Sequence, residues 1–231
     1  MGVSSGVSVV VPAAGRGERL GVGVPKALVP LHGVPMVLHT LRRLGAAALF
    51  DEAVVAAPAS HVEAVERLTA GAADWPFAVR VVRGGSERQE SVRFALEHIG
   101  RACRIVVVHD AARPCVPVEV VQRCVAAARE GGAALAAVPI QDTLKRVHQG
   151  HVIATVVRAG LWVAQTPQAF DAALLRAAHL RAVETGYVGT DDAALIEWAG
   201  VAPRIVEGDL CNIKITTAAD LRHAETLLQQ R

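Results

Sequence analysis

The sequence predicts a doubly wound α/β fold with a mostly parallel sheet and a projecting β-hairpin. Three observations lead there. Short β-type runs that are apolar on both faces of the pleat alternate with longer stretches of helical period, the pattern of strands covered by helices on both sides. The 231 residues, 52% hydrophobic and 20% charged, suffice for one core built from Ala, Val and Leu, so residues 1–231 read as one domain. A polar tract between Pro139 and Arg158 interrupts the rhythm.

The first strand is Val7 to Val11, followed by a small-residue loop and an amphipathic helix from Met36 to Leu49. Ala53 to Ala57 and Val79 to Val82 are the next strands, separated by a helix from His61 to Ala70. A helix from Arg88 to Ile99 follows, opened by a capping pair of Ser86 and Gln89, and leads to a strand from Ile105 to His109. Val118 to Arg129 is helical and Ala133 to Val138 extended. The hairpin comes next, with Lys145, Arg146, His148, Gln149, Gly150 and His151 as its polar tip between β-prone flanks. The remaining elements are a strand from Leu161 to Thr166, helices from Ala172 to Glu184 and Asp191 to Ala199, a strand at Arg204 to Val206, and a helix from Ala218 to Leu228 with Thr217 and Asp220 as its capping pair.

Composition removes several classes of function. The 24 basic residues against 22 acidic ones contain no basic block, which leaves no footprint for duplex nucleic acid or anionic lipid. Val7 to Val11 stops at Pro12, far short of the roughly 20 apolar residues of a membrane span, and no leader pattern precedes it. Cys103, Cys115, Cys124 and Cys211 have neither zinc-ligand nor disulfide-framework spacing, so the expected setting is a soluble protein of the reducing cytoplasm.

Two places concentrate chemistry. The loop from Pro12 to Leu20 leaves the first strand at the carboxyl edge of the sheet, where ligands of open α/β folds bind, and its small side chains let backbone N–H groups approach an anion. It matches no dinucleotide fingerprint, since Leu20 stands at the third glycine position, and no Walker loop, since Pro25-Lys26-Ala27 replaces Gly-Lys-Ser/Thr. Arg19 and Lys26 bring two cations to it. At the end of the fourth strand, Asp110 lies on the same edge, where one carboxylate can hold Mg²⁺ against phosphate oxygens or simply cap a loop. The adjacent His109 reads as a partly buried structural histidine.

The stretches PAAGRGERL, PKALVPL, GGSERQESV, VHDAARP, DTLK, VVRAGLWVAQTPQAF, GTDDA and NIKIT, in this order from residue 12 to residue 216, resemble the bacterial 2-C-methyl-D-erythritol 4-phosphate cytidylyltransferase family of non-mevalonate isoprenoid synthesis. HDAARP, a central WxxQTPQ and a late NIKIT are together specific. The resemblance implies a Rossmann-like nucleotidyltransferase fold and transfer of CMP from CTP to the sugar phosphate. It assigns Pro12, Ala13, Ala14, Gly15 and Ala111 to the nucleotide, with Arg19, Lys26 and Lys214 as catalytic cations around the triphosphate. It gives Gly85 and Ser91 to cytosine and Asp110 to Mg²⁺. Arg113, Thr190 and Thr216 would meet the acceptor from one subunit, and Thr143, Arg158 and Thr166 at or near the other subunit's site, making residues 139–158 a dimerisation arm.

A phosphate monoester has its second pKa near 6 and is mostly dianionic at neutral pH, so it attacks without a general base. Catalysis then reduces to positioning and to cations that offset charge on the leaving pyrophosphate. Lysine is scarce, three of 24 basic residues, yet Lys26 and Lys214 both fall at implied site positions and only Lys145 does not. A ribitol 5-phosphate cytidylyltransferase and a nucleotide-binding regulatory protein are the alternative readings. HDAARP weighs against the first, and retention of every cation and of Asp110 against the second.

Overall fold

The computed structural model describes residues 5–15, 17, 21, 23–72 and 75–230. In chain order these form β1 (Val7–Pro12), a small hairpin of β2 (Pro30–Leu31) and β3 (Val34–Pro35), α1 (Met36–Ala46), β4 (Glu52–Ala57), α2 (Val62–Gly71), β5 (Ala78–Arg83), α3 (Arg88–Leu96), β6 (Ile105–Val108), α4 (Val118–Gly131), β7 (Ala133–Pro139), an arm of β8 (Leu144–His148) and β9 (His151–Val156), β10 (Trp162–Asp171), α5 (Ala172–Thr185), α6 (Asp192–Trp198), β11 (Arg204–Glu207) and α7 (Ala218–Gln229).

Seven strands make one sheet in the order β11-β7-β10-β6-β1-β4-β5. The chain runs outward from β1 through β4 to β5, then returns by α3 to place β6 on the opposite flank of β1. The reversal opens a crevice beyond the carboxyl ends of β1 and β6, where an open α/β sheet binds its ligand. Alternation along the pleat divides the interior: Val9 and Val11 pack with Leu41, Leu44 and Val121 on one face, while Val10 and Val54 pack with Val92, Leu96 and Ile196 on the other.

Strand β10 runs antiparallel to both its neighbours, β6 and β7, and it continues to Asp171 instead of ending at Thr166. The polar Gln165-Thr166-Pro167-Gln168 run reads as a strand end. Instead, the register shifts between Ala164 and Gln168, and both glutamine side chains turn inward as hydrogen-bonding struts. A second correction concerns α3. Ser86 does not cap it; the Glu90 carboxylate reaches back to the Ser86 N–H (2.7 Å) and hydroxyl (2.9 Å), because a carboxylate is the stronger acceptor there. At α7 the capping box of Thr217 and Asp220 forms as expected.

The arm is a separate two-stranded ladder, turned by Gln149 (φ 48°) and Gly150 (φ 79°), the pair of left-handed residues a tight hairpin requires. Its apolar side chains Val147, Val152 and Ile153 are exposed, as are Val157 and Trp162 at its base.

Candidate active site

Beyond the carboxyl ends of β1 and β6 lies a cleft of about 1590 Å³, lined by Gly15, Gly17, Lys26, Gly84, Gly85 and Thr216 among others. A deeper recess of about 160 Å³ shares Ala14, Gly15, Lys26 and Gly85 with it. The recess also gathers Pro12, Ala13, Ser91, Asp110, Ala111 and Lys214. Residues from five separate sequence blocks thus meet in one place. Arg19 lies outside the described residues.

Two backbone segments shape the walls. The Ala13 amide is committed to the Ala56 carbonyl (2.8 Å), and Lys26 N–H bonds Gly15 O (3.1 Å), folding the loop back on itself. Gly17 sits at φ 72°, and a Cβ there would lie 3.1 Å from Lys26 Cβ, so glycine serves both the conformation and the close approach. Opposite, the buried Ser91 hydroxyl accepts the Gly85 N–H and donates to Glu87 O, both 3.0 Å, and so holds the turn that leads into α3.

Asp110 is the electrostatic centre. Its side chain is 8% exposed; Arg88 Nε donates to Oδ1 (3.0 Å) and Lys214 Nζ to Oδ2 (2.7 Å). Burial alone pushes the carboxyl toward its neutral form, but Arg88, then Lys214 and Arg113, outweigh it and hold Asp110 ionised far below the usual carboxylate range. Arg88 also donates through Nη1 to Asp192 Oδ2 (2.6 Å), and Asp192 is likewise kept ionised against its burial.

His109 is fully buried, more so than its sequence context indicates. The Asp110 N–H donates to Thr166 Oγ1 (3.0 Å), the Thr166 hydroxyl donates to His109 Nδ1 (3.1 Å), and His109 Nε2–H donates to Arg113 O (3.1 Å). Burial pushes the imidazole down to about 4, so it is neutral at physiological pH. Thr166 is therefore interior and turned toward β6. Arg113 is also buried, its Nη1 bonded to Asn212 O (2.6 Å). Thr190 is exposed, whereas Thr216 donates its hydroxyl to Asp220 (2.7 Å) and lines the larger cleft. Thr143 and Arg158 are exposed at the root of the arm, where Arg158 bonds the Gln141 carbonyl; neither lines the cleft of its own chain among the described residues.

Sequence reasoning passed over Arg88, Asp192, Gln165, Gln168 and Asn212. Gln165 bonds Asp209 O (2.9 Å), Asn212 Nδ2 donates to Gln165 Oε1 (3.1 Å) and to Thr166 O (2.7 Å), and Gln168 holds the start of α6 through Asp191 and Ala193. The QTPQ block thus fastens the segment carrying Lys214 to the sheet. A charged residue in the first turn after two glycines was the available signal for Arg88.

A sequence profile of the 2-C-methyl-D-erythritol 4-phosphate cytidylyltransferases matches residues 7–230. The chain belongs to this cytidylyltransferase family. A family member from Symbiobacterium thermophilum is 44% identical, over 99% of this chain and 95% of that protein. The crystal structure of the 2-C-methyl-D-erythritol 4-phosphate cytidylyltransferase from Thermus thermophilus superposes with a TM-score of 0.80 at 35% identity, covering 96% of this chain and 98% of that one. A 4-diphosphocytidyl-2C-methyl-D-erythritol synthase from Anaerococcus prevotii gives 0.83 at 26% identity, with 96% and 98% covered. The cytidylyltransferase fold is shared along nearly the whole chain.

Proposed function

We propose that this chain transfers CMP from CTP to 2-C-methyl-D-erythritol 4-phosphate, releasing pyrophosphate and forming 4-diphosphocytidyl-2-C-methyl-D-erythritol. The observation that carries the reading is the convergence of Lys26, Lys214 and Asp110 on one recess beside a small-residue loop, in a chain of this family. In this reading an acceptor phosphate oxygen attacks the α-phosphorus in line, one P–O bond forms, and the bond to the β-phosphate bridging oxygen breaks. No proton has to be removed from the dianionic nucleophile, and His109, neutral and hydrogen-bonded on both nitrogens, is no base. Lys26 and Lys214 offset charge on the phosphates, with Arg19 assigned the same task. Gly85 and the turn held by Ser91 face cytosine.

The donor set fits a divalent cation that arrives with the nucleotide. No group of three or more His, Cys, Asp or Glu side chains that could hold a metal occurs among the described residues, so Asp110 alone would contribute a carboxylate and the phosphates the other oxygens. Lys214, 42% exposed on a flexible stem, is able to vacate Oδ2 for it. When bound, Mg²⁺ supplies charge neutralisation at the phosphate oxygens.

The enzyme acts as a soluble homodimer in the cytoplasm in this reading. The arm crosses to the partner, which brings Thr143 and Arg158 to the acceptor side of the other site, with Arg113, Thr190 and Thr216 contributed locally and Thr166 bracing the Asp110 backbone. The exposed apolar arm residues support this use. Among the described residues no helix is long and apolar enough to cross a membrane. The test is pyrophosphate release from each of four NTPs crossed against 2-C-methyl-D-erythritol 4-phosphate and ribitol 5-phosphate. Turnover confined chiefly to CTP with the methylerythritol acceptor is expected; preference for ribitol 5-phosphate, or comparable use of ATP or GTP, overturns the assignment.

A further inference from the structure

We infer that Arg88, braced from behind by Asp192, is a positioning residue that fixes Asp110 Oδ1 and leaves Oδ2 as the only oxygen of that carboxylate available to the cleft. The inference rests on the assignment of Asp110 to the metal–triphosphate site.

One guanidinium joins two carboxylates from distant parts of the chain. Asp110 follows β6 and Asp192 opens α6, and Arg88, the first residue of α3, touches both at 3.0 and 2.6 Å. A planar fork bonded through Nε to one partner and Nη1 to the other fixes the angle between them, which a lysine ammonium does not. Asp192 is 1% exposed and is itself held in place. Gln168 Oε1 accepts the N–H of Ala193 (2.9 Å), Gln168 Nε2 donates to Asp191 (2.7 Å), and the Asp191 carboxylate caps the Ala194 N–H (2.8 Å). His179 Nε2 stands 3.6 Å from Asp192 Oδ1 on the far side. Asp192 opens α6, whose Ala193, Leu195 and Ile196 belong to the same packed cluster as Phe170 and Leu175.

At the other end, Asp110 is immobilised at two points, its N–H on Thr166 Oγ1 and its Oδ1 on Arg88. Its remaining oxygen meets the half-exposed Lys214. Ligand orientation by an outer hydrogen-bonding partner is worth on the order of 10- to 100-fold in metal affinity. A strut that merely filled space would need no ionic contact with a carboxylate that lines the recess.

Three variants separate positioning from stability. Arg88→Met removes the fork, takes the guanidinium from the buried Asp192 and leaves Asp110 with Lys214 alone within ion-pair distance, so it both loosens Asp110 and destabilises the fold. Asp192→Asn added to it relieves the buried charge without restoring the hold on Oδ1. Arg88→Lys keeps a charge but spans one carboxylate only. Each protein is scored by its urea unfolding midpoint, by the Mg²⁺ concentration for half-maximal CTP turnover, and by Mn²⁺·CTP binding read from water-proton relaxation. The expected result is a half-activation concentration raised about tenfold or more in Arg88→Met and Arg88→Lys. In the double variant the midpoint recovers while the metal requirement stays raised. Recovery of both together, or a folded Arg88→Met protein with wild-type metal dependence, overturns the inference. If the wild type turns over no CTP, the proposed function fails separately; weaker Mn²⁺·CTP binding in Arg88→Met then still upholds the strut, and unchanged binding rejects it.

Discussion

Lys214 Nζ rests 2.7 Å from Asp110 Oδ2, so the ammonium assigned to the triphosphate lies on the carboxylate assigned to the metal. Two cations cannot share that oxygen closely without mutual repulsion. The lysine is the movable member, with its side chain 42% exposed against 8% for the aspartate. Metal and nucleotide are then expected to enter together, the phosphates drawing Lys214 away as they bring the metal in.

Removing the competitor separates the two roles of Lys214. Lys214→Met should strengthen Mn²⁺ binding to the nucleotide-free protein, seen by electron paramagnetic resonance, while lowering CTP turnover on the order of 100-fold, the cost of one preorganised transition-state contact. Lys26→Ala should lower turnover by a similar factor with no gain in metal binding. Near-full turnover of either variant at saturating CTP rejects electrostatic catalysis by these lysines.

Gly84 tests the location of the nucleotide. A Cβ at this position would fall 2.6 Å from Ala14 Cβ and 3.2 Å from Ala57 O, and neither is the end of a flexible side chain. Gly84→Ala must push the turn at Gly85 away from the small-residue loop, costing about 1–3 kcal/mol as an overpacked site does. Calorimetry should find CTP binding weakened with the acceptor KM little changed. Unaltered CTP affinity in the folded variant places the nucleotide elsewhere.

Acid lability should trace in part to His109. The buried ring titrates at about 4 in the folded protein against 6.5 in the unfolded chain, so between these values the unfolded state binds more protons. Its contribution to stability is complete above pH 6.5 and declines as pH falls to 4, by on the order of 3 kcal/mol. Asp110 and Asp192, held ionised in the fold, add a further loss only below about pH 4. Urea titrations at a series of pH values should show the upper slope flattened in His109→Gln; an identical slope assigns the loss to other groups.

The parts of this architecture written in local pattern were legible from sequence. The apolar runs of β1 and β6 and the Thr217–Asp220 box depend on neighbours a few residues away, and the two lysines that line the recess stand out in the sequence by their scarcity. The Arg88–Asp192 contact spans 104 residues and leaves no periodic trace, so only the assembled sheet exposes it. The continuation of β10 was obscured for a related reason. Its glutamines look like strand breakers until partners from α6 and the Asp209–Asn212 segment are present to receive them.

The arm carries the last expectation. Val147, Val152 and Ile153 are 55%, 61% and 59% exposed on a ladder of two strands, which buries too little by itself to justify so much apolar surface. If the arm lies on a second copy, Arg158 serves the partner's acceptor site while Lys26 serves its own. Arg158→Ala should then raise the acceptor KM with CTP binding nearly intact, since only the acceptor phosphate loses a cation. Assayed with acceptor well below the raised KM, Arg158→Ala and Lys26→Ala homodimers should each be nearly inactive alone. After subunit exchange, half of the dimers are mixed and one of their two sites carries both wild-type residues, so activity should return to about a quarter of the wild-type sites. If Arg158 acted within its own subunit, every site in the mixture would lack one residue or the other, and proven exchange without recovery would reject the shared site.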